Sequence, residues 1–279
     1  MVTRTTVARL DRRRRGSDDL QVVDAVQRFT ALVGESDPEL DRGALAIAAG
    51  ADPELAEPRW LAELDRLAEG VGSLDALRHR LFVEEGFAGN TERYYDPRNS
   101  LLDRVLHRRL GIPITLSVVA IEVGRRAGVP LEGVGMPGHF LLRTPGTQDY
   151  LDAFEGGAPL DLAGCEARFR ASTGAGAEVA FGPHLLGPAP VRHILVRILE
   201  NLRAVYRRSA RASDVEWVLR MRLALPGAGA AEMLELGSAM GQQGRWIEGA
   251  TLLESRAPEF PRHTAALTYA ARGLRAHLN

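Results

Sequence analysis

The stretch "GIPITLSVVAIEVGRRAGVP", residues 111–130, constrains the fold more than any other. Proline at 113 suits the first turn of a helix, where its missing N–H leaves no bond unmade and its ring presets the backbone. Glycine at 128 supplies a stop. Between them Ile114, Leu116, Val118, Val119, Ala120, Ile121 and Val123 leave no wide polar face. A helix that is apolar nearly all round has to be enclosed. The pattern predicts a buried helix over 113–127, with Glu122 and the Arg125–Arg126 pair marking its exposed side and end.

The segments on either side say what encloses it. From 20 to 87, apolar residues recur at helical spacing in "VVDAVQRFTALV", "RGALAIAAG", "WLAELDRLAEGV" and "LDALRHRLFVEE". Asp37–Pro38 and Asp52–Pro53 read as a cap followed by a helix-opening proline. Turn formers and aromatics fill "GFAGNTERYYDPRNS", after which "SLLDRVLHRRLG" reads as a helix capped by Ser100 and stopped by Gly111. Beyond the central helix, "LEGVGM", "HFLLRT" and "YLDAFE" read as strands, with "PGTQ" as a turn between the last two. The glycine-rich "STGAGAEVAFGPHLLGPAP" then separates this part from a helical remainder. There Pro226 and Pro261 lie 35 residues apart, close to the tetratricopeptide period. Gly237, Gly244, Trp246, Leu253 and Pro261 occupy the small, aromatic and terminal proline positions of the second copy; Tyr206 and Val215 mark a poorer first copy. The expected organisation is a disordered tail over 1–19, a helical region over 20–89, an α+β core over 90–172 and a tetratricopeptide-like helical region over 188–279. The core class is a central helix packed on a small antiparallel sheet.

Composition removes several chemistries. All 35 basic residues are arginine, which excludes a catalytic lysine, a Schiff base and a phosphate loop ending in Gly-Lys. A single cysteine, Cys165, excludes an intramolecular disulfide and a cysteine-rich zinc site. His79, His107, His184, His193, His263 and His277 show no paired ligand spacing, so neither a metal nor a cofactor is expected. A net charge of −1 gives no electrostatic footprint for nucleic acid, and the basic run Arg12–Arg15 reads as part of a solvated tail. "GSDDLQ" follows that run where a secretory leader would be apolar, and the apolar run near 112–124 is shorter than the ~20 residues of a membrane span. The expected location is the cytoplasm.

One pair of side chains carries possible chemistry. A turn centred on Pro145–Gly146 places His139 opposite Asp152 on one face of a hairpin, with Cβ atoms roughly 5 Å apart. A carboxylate beside an imidazole fixes its tautomer and favours its protonated form. The alternative is a structural pair on a half-buried sheet. Pro137 and Gly138 deliver His139 at a strand start, near a sheet end, which suits a site.

A helix, then a histidine on the next strands, then an aspartate on the following one is the chain order of the papain-related, transglutaminase-like fold. More closely, "FAGNTERYYDPRNSLLDRVLHRRLGIPITLSVVAIEVGRRAGVPLEGVGMPGHFLLR" resembles the bacterial SirB family, transglutaminase-like proteins with tetratricopeptide repeats named as regulators of an invasion gene. The resemblance spans about residues 30–262, is specific from Asn90 to Asp152, and departs from the family at Ala153, where proline is commoner. It implies a His139–Asp152 pair and a nucleophilic cysteine at the helix start. Counting back fifteen residues from Gly128 lands on Pro113. Asn90, Tyr95 and Asn99, in the turn-rich segment, are the candidate binding residues.

Proline has no acidic proton and cannot attack a carbonyl. Ser117 lies one turn deeper, about 6 Å along the axis, and Thr115 points roughly 200° round the helix. Both read as buried hydroxyls bonded back to a carbonyl one turn earlier. Cys165, after "LDLAG", sits near an expected helix start, which would lower a thiol pKa, but it follows the aspartate in chain order and reads as a small buried residue. The expectation is a degenerate, non-catalytic frame that binds a protein or peptide partner in a regulatory role. Its rival is a hydrolase or acyl-transfer enzyme in which His139 and Asp152 act with Ser117, Thr115 or a water.

Overall fold

Pro113 does open the central helix. In the computed structural model, which describes residues 22–277, α6 runs Pro113–Arg126 and buries most of its side chains. Leu116, Val118, Val119 and Val123 are all at 1% exposure or less. Each such side chain contributes about 1.5–3 kcal/mol by leaving water. Glu122, however, is not on an exposed side. It is 2% exposed and accepts from Arg125 and Arg126, and both arginines also reach the buried Asp41. Arg125 itself is exposed, as expected, while Glu122 is enclosed with Asp41 because a carboxylate is enclosed only when it is paired.

The elements before α6 are helix 22–34 (α1), α2 (Leu40–Ala51), α3 (Glu57–Ala68), α4 (Leu74–Arg78) and α5 (Leu102–Arg108). The Ser73 hydroxyl caps α4 by accepting from the Ala76 N–H, and the chain continues as one π-helical segment, His79–Glu84. Three expected signals move. Pro53 lies in a turn, and Pro58 opens α3 instead. Ser100 closes the 3-10 turn Pro97–Asn99 and does not cap α5, whose N-cap is Leu101. Gly111 is likewise not the stop: Arg109, at φ 59°, ends α5, and Leu110–Gly111 forms β2 beside β1 (Ala88–Gly89) in a short parallel pair.

After α6, β3 (Glu132–Val134), β4 (Leu141–Arg143), β5 (Tyr150–Asp152) and β6 (Ala158–Leu160) form an antiparallel sheet in that order. The α+β core is a helix-rich frame around this small sheet. α6 packs against α3, α4, α5, β3 and β4. On the sheet Val134, Met136, Leu141 and Tyr150 join Cys165 and Phe169 of α7 (Leu162–Thr173) and Leu186. The glycine-rich stretch is therefore more than a spacer. Leu186 lies in this cluster, Phe181 and Leu185 flank it, and the Ala189 N–H donates to the Gly133 carbonyl at 2.7 Å.

Five helices complete the described residues: α8 (Val191–Arg208), α9 (Ala212–Arg222), α10 (Ala230–Gln242), α11 (Trp246–Arg256) and α12 (Thr264–Ala276). Compactness divides the chain differently from sequence order. One unit takes Glu39–Leu45 and Ala56–Asn201; the other takes the described residues up to Pro38, then Ala46–Leu55 and those from Leu202 onward. Within the latter, α10 packs on α9, α11 and α12. A Cβ added to Gly237 would lie 2.7 Å from Leu253, so only glycine lets α10 and α11 approach this closely. Gly244, at φ 76°, makes the tight turn between them. The expected tail over 1–19, with Arg12–Arg15, lies outside the described residues.

Candidate functional site

His139 is delivered by a turn whose geometry only glycine allows. The His139 N–H donates to the Met136 carbonyl at 3.2 Å. Gly138 sits at φ 75°, and a Cβ there would meet the Ser172 hydroxyl at 2.7 Å. Arg197 of α8 holds both ends of the turn, donating to the Met136 carbonyl at 3.1 Å and the His139 carbonyl at 3.0 Å.

Asp152 ends β5 and is fully buried, while His139 is 7% exposed. The ring Nε2 lies 3.0 Å from both carboxylate oxygens. A carboxylate here acts as acceptor, so Nε2 is the donor of the pair and Nδ1 is not used by Asp152. The hairpin register differs from the expected one. Leu142 pairs with Leu151 and Arg143 with Tyr150, because the connection runs from Thr144 to Asp149 and is not centred on Pro145–Gly146. The shift is two residues, so facing parity is kept and His139 meets Asp152 on a diagonal.

Asp152 has two further partners. Its Oδ1 accepts from the Phe154 N–H at 3.0 Å, capping the 3-10 turn Ala153–Glu155, and Arg168 Nε of α7 lies 3.0 Å from its Oδ2. Arg168 also faces Glu155 at 3.4 Å. Sequence reasoning missed this arginine, since no spacing rule links a residue of α7 to the end of β5. It missed Phe154 too. The Phe154 ring meets His139 edge-on at 6.4 Å and Tyr94 at 6.0 Å, and a Cβ on Gly89 would fall 2.6 Å from it. Gly89 pairs with Gly111, which leads through Ile112 into Pro113. This run of contacts links the start of α6 to the His–Asp pair.

Pro113 is the first helical residue of α6 and is buried. The Thr115 hydroxyl lies 2.6 Å from the Asn99 carbonyl as donor and accepts from the Ile112 N–H at 3.2 Å, so it caps the helix. Ser117 is at 0% exposure, and its Oγ has no hydrogen-bond partner among the described residues, contrary to the expected bond one turn back. Cys165 is fully buried on α7; burial, with Asp161 and Asp152 nearby, pushes its thiol up to about 11. Cys165 is thus a small buried core residue and not a thiol activated at a helix start.

Of the three candidate binding residues, two are consumed internally. Asn90 Nδ2 donates to Asn99 Oδ1 at 2.9 Å, and Asn99 Nδ2 donates to the carbonyls of Arg93 and Tyr94. Buried amides with these bonds shape the loop and offer nothing to a ligand. Tyr95 is 61% exposed and stacks edge-on with Tyr94.

Residues 37–200 match the Transglutaminase-like superfamily. A UPF0162 protein of Xylella fastidiosa (strain Temecula1) is 45% identical over 163 residues, covering 54% of this chain and 57% of the relative. A UPF0162 protein of Pseudomonas aeruginosa is 37% identical over 144 residues, 48% of this chain and 53% of the relative. F-box only protein 21 of Mus musculus is 36% identical over 149 residues, 48% of this chain and 22% of the relative. The chain thus spans little more than half the length of the bacterial relatives. No solved structure matches it. With the superfamily match covering the central helix, the sheet and the His139–Asp152 pair, the chain belongs to the transglutaminase-like superfamily.

Proposed function

We propose that the chain is a degenerate member of SirB type, one that keeps the transglutaminase-like frame, has lost its nucleophile, and binds a protein or peptide partner as a regulatory module. The observation that carries this is Pro113 at the first position of α6, where the family resemblance puts cysteine. The neighbouring hydroxyls support it: Thr115 is committed to capping, and Ser117 is sealed in the core. Helices α10 and α11 support a tetratricopeptide unit through the Gly237–Leu253 approach and the Gly244 turn. No helix among the described residues is long and apolar enough to cross a membrane.

A second reading draws on the His139–Asp152 bond, which is the geometry a general base needs. In that reading a water or Ser117 attacks, with Nδ1 taking the proton. Serine-directed acylating probes and a p-nitrophenyl ester separate the two. The proposal expects no labelling and no turnover that depends on His139. Ester hydrolysis abolished by both His139→Ala and Ser117→Ala would establish the second reading instead.

A further inference from the structure

Arg126, Arg143 and Arg168 each meet a carboxylate. Arg197, in the same unit and partly buried, meets none among the described residues. Two of its N–H groups go to the Met136 and His139 carbonyls, and its guanidinium lies 5.3 Å from the Phe140 ring centroid. Those partners are neutral. Carbonyls and a π face solvate a guanidinium without cancelling its charge. Burial accordingly holds its proton affinity below the ordinary arginine range, with only the Tyr94 phenol acting the other way. Tyr94 is 40% exposed, and burial raises its own pKa, so it is a neutral hydroxyl able to donate.

A positive charge with no carboxylate partner among the described residues therefore sits within hydrogen-bond distance of the His139 carbonyl and within electrostatic reach of a partly exposed phenol. Phe154, against both Tyr94 and His139, supplies an aromatic floor. The guanidinium fork has further N–H donors beyond the two in use, and carboxylates are what such a fork pairs with best. We propose that Arg197 and the Tyr94 hydroxyl form a carboxylate-binding subsite, which takes an acidic side chain or the free C-terminus of an extended peptide lying over His139. This rests on the peptide-binding reading above and names the chemistry of the partner.

The test uses the full chain and three fluorescein-labelled octapeptides of one alanine–glycine sequence. One ends in a free carboxylate, one in an amide, and one in an amide with a single internal glutamate. Fluorescence anisotropy at low salt should show at least one carboxylate peptide binding about tenfold or more tightly than the plain amide. Which of the two binds tells a C-terminal from a side-chain carboxylate. Arg197→Gln should erase the difference, and Tyr94→Phe should narrow it severalfold. Should Arg197→Gln fail to fold by circular dichroism, Arg197→Lys, which keeps charge but not the fork, should still narrow it. Equal affinity for all three peptides, no binding of any up to millimolar concentration, or a difference that survives in folded Arg197 variants would overturn the subsite. Cleavage of a bound peptide would instead overturn the non-catalytic reading and leave the subsite standing.

Discussion

Removing Asp152 should destabilise the protein far more than removing its partner Arg168. The buried carboxylate accepts from His139 Nε2, the Phe154 N–H and Arg168 Nε, each at 3.0 Å. In Asp152→Ala the Phe154 N–H and the imidazole lose their acceptor in a site closed to water. A buried donor left unpaired costs roughly 1–3 kcal/mol, and two are left here, the Phe154 N–H and His139 Nε2. Arg168 softens this, because its side chain is 29% exposed and can turn to Glu155 and solvent. The two orphaned donors set the expected loss for Asp152→Ala at about 3–4 kcal/mol. Arg168→Gln, leaving Asp152 its two other donors, should lose about 1 kcal/mol. Urea unfolding at neutral pH gives the two values, and hydrogen exchange at the Phe154 amide gives a local readout, since its protection depends on Asp152 Oδ1. A loss under 1 kcal/mol for Asp152→Ala, or equal losses for the two variants, would refute the reasoning.

Other positions give sharper local tests. Gly124→Ala would set a Cβ 2.4 Å from the Val129 carbonyl oxygen, a backbone atom with no room to retreat, and should cost about 2–3 kcal/mol in urea unfolding; a neutral effect would contradict the close approach. Hydrogen bonds from Arg66 first, and then Arg109, hold Glu63 down at about 2 against an ordinary 4.5, so its stabilisation is complete above pH 4.5 and fades as pH falls toward 2. Screened by solvent, it should amount to about 1 kcal/mol, read as the difference between Glu63→Gln and the natural protein at pH 6 that disappears near pH 2; a pH-independent difference would contradict it. Cys165, buried with its thiol pushed up, should resist iodoacetamide at pH 7.5 in the native state and react only in denaturant, as mass spectrometry would show.

The central helix was legible to within a residue, because proline and glycine mark its ends and its apolar content demands enclosure. The His139–Asp152 bond was legible for a sturdier reason than the register that suggested it: a slip of two residues keeps facing parity, so the pair survives an error in turn length. The buried state of Glu122 was hidden, since Asp41, the second carboxylate that shares Arg125 and Arg126 with it, lies far away in sequence. The β1–β2 pair has only two residues per strand, too few for alternation to register. Arg168 and Arg197 escaped for a common reason. Each meets the site from a helix distant in sequence, and neither helical periodicity nor strand pairing predicts such a contact.

The most direct test of the claim that the frame persists without its reactive atom is the iodoacetamide labelling rate of Pro113→Cys at neutral pH, with and without His139. The substitution sets a thiol at the first turn of α6, where unpaired backbone N–H groups favour the thiolate. The account predicts labelling well above that of Cys165 in the natural protein, and a clear fall in rate when His139→Ala is added. A thiol at 113 that reacts no faster than an unactivated cysteine, or reacts equally fast without His139, would contradict it.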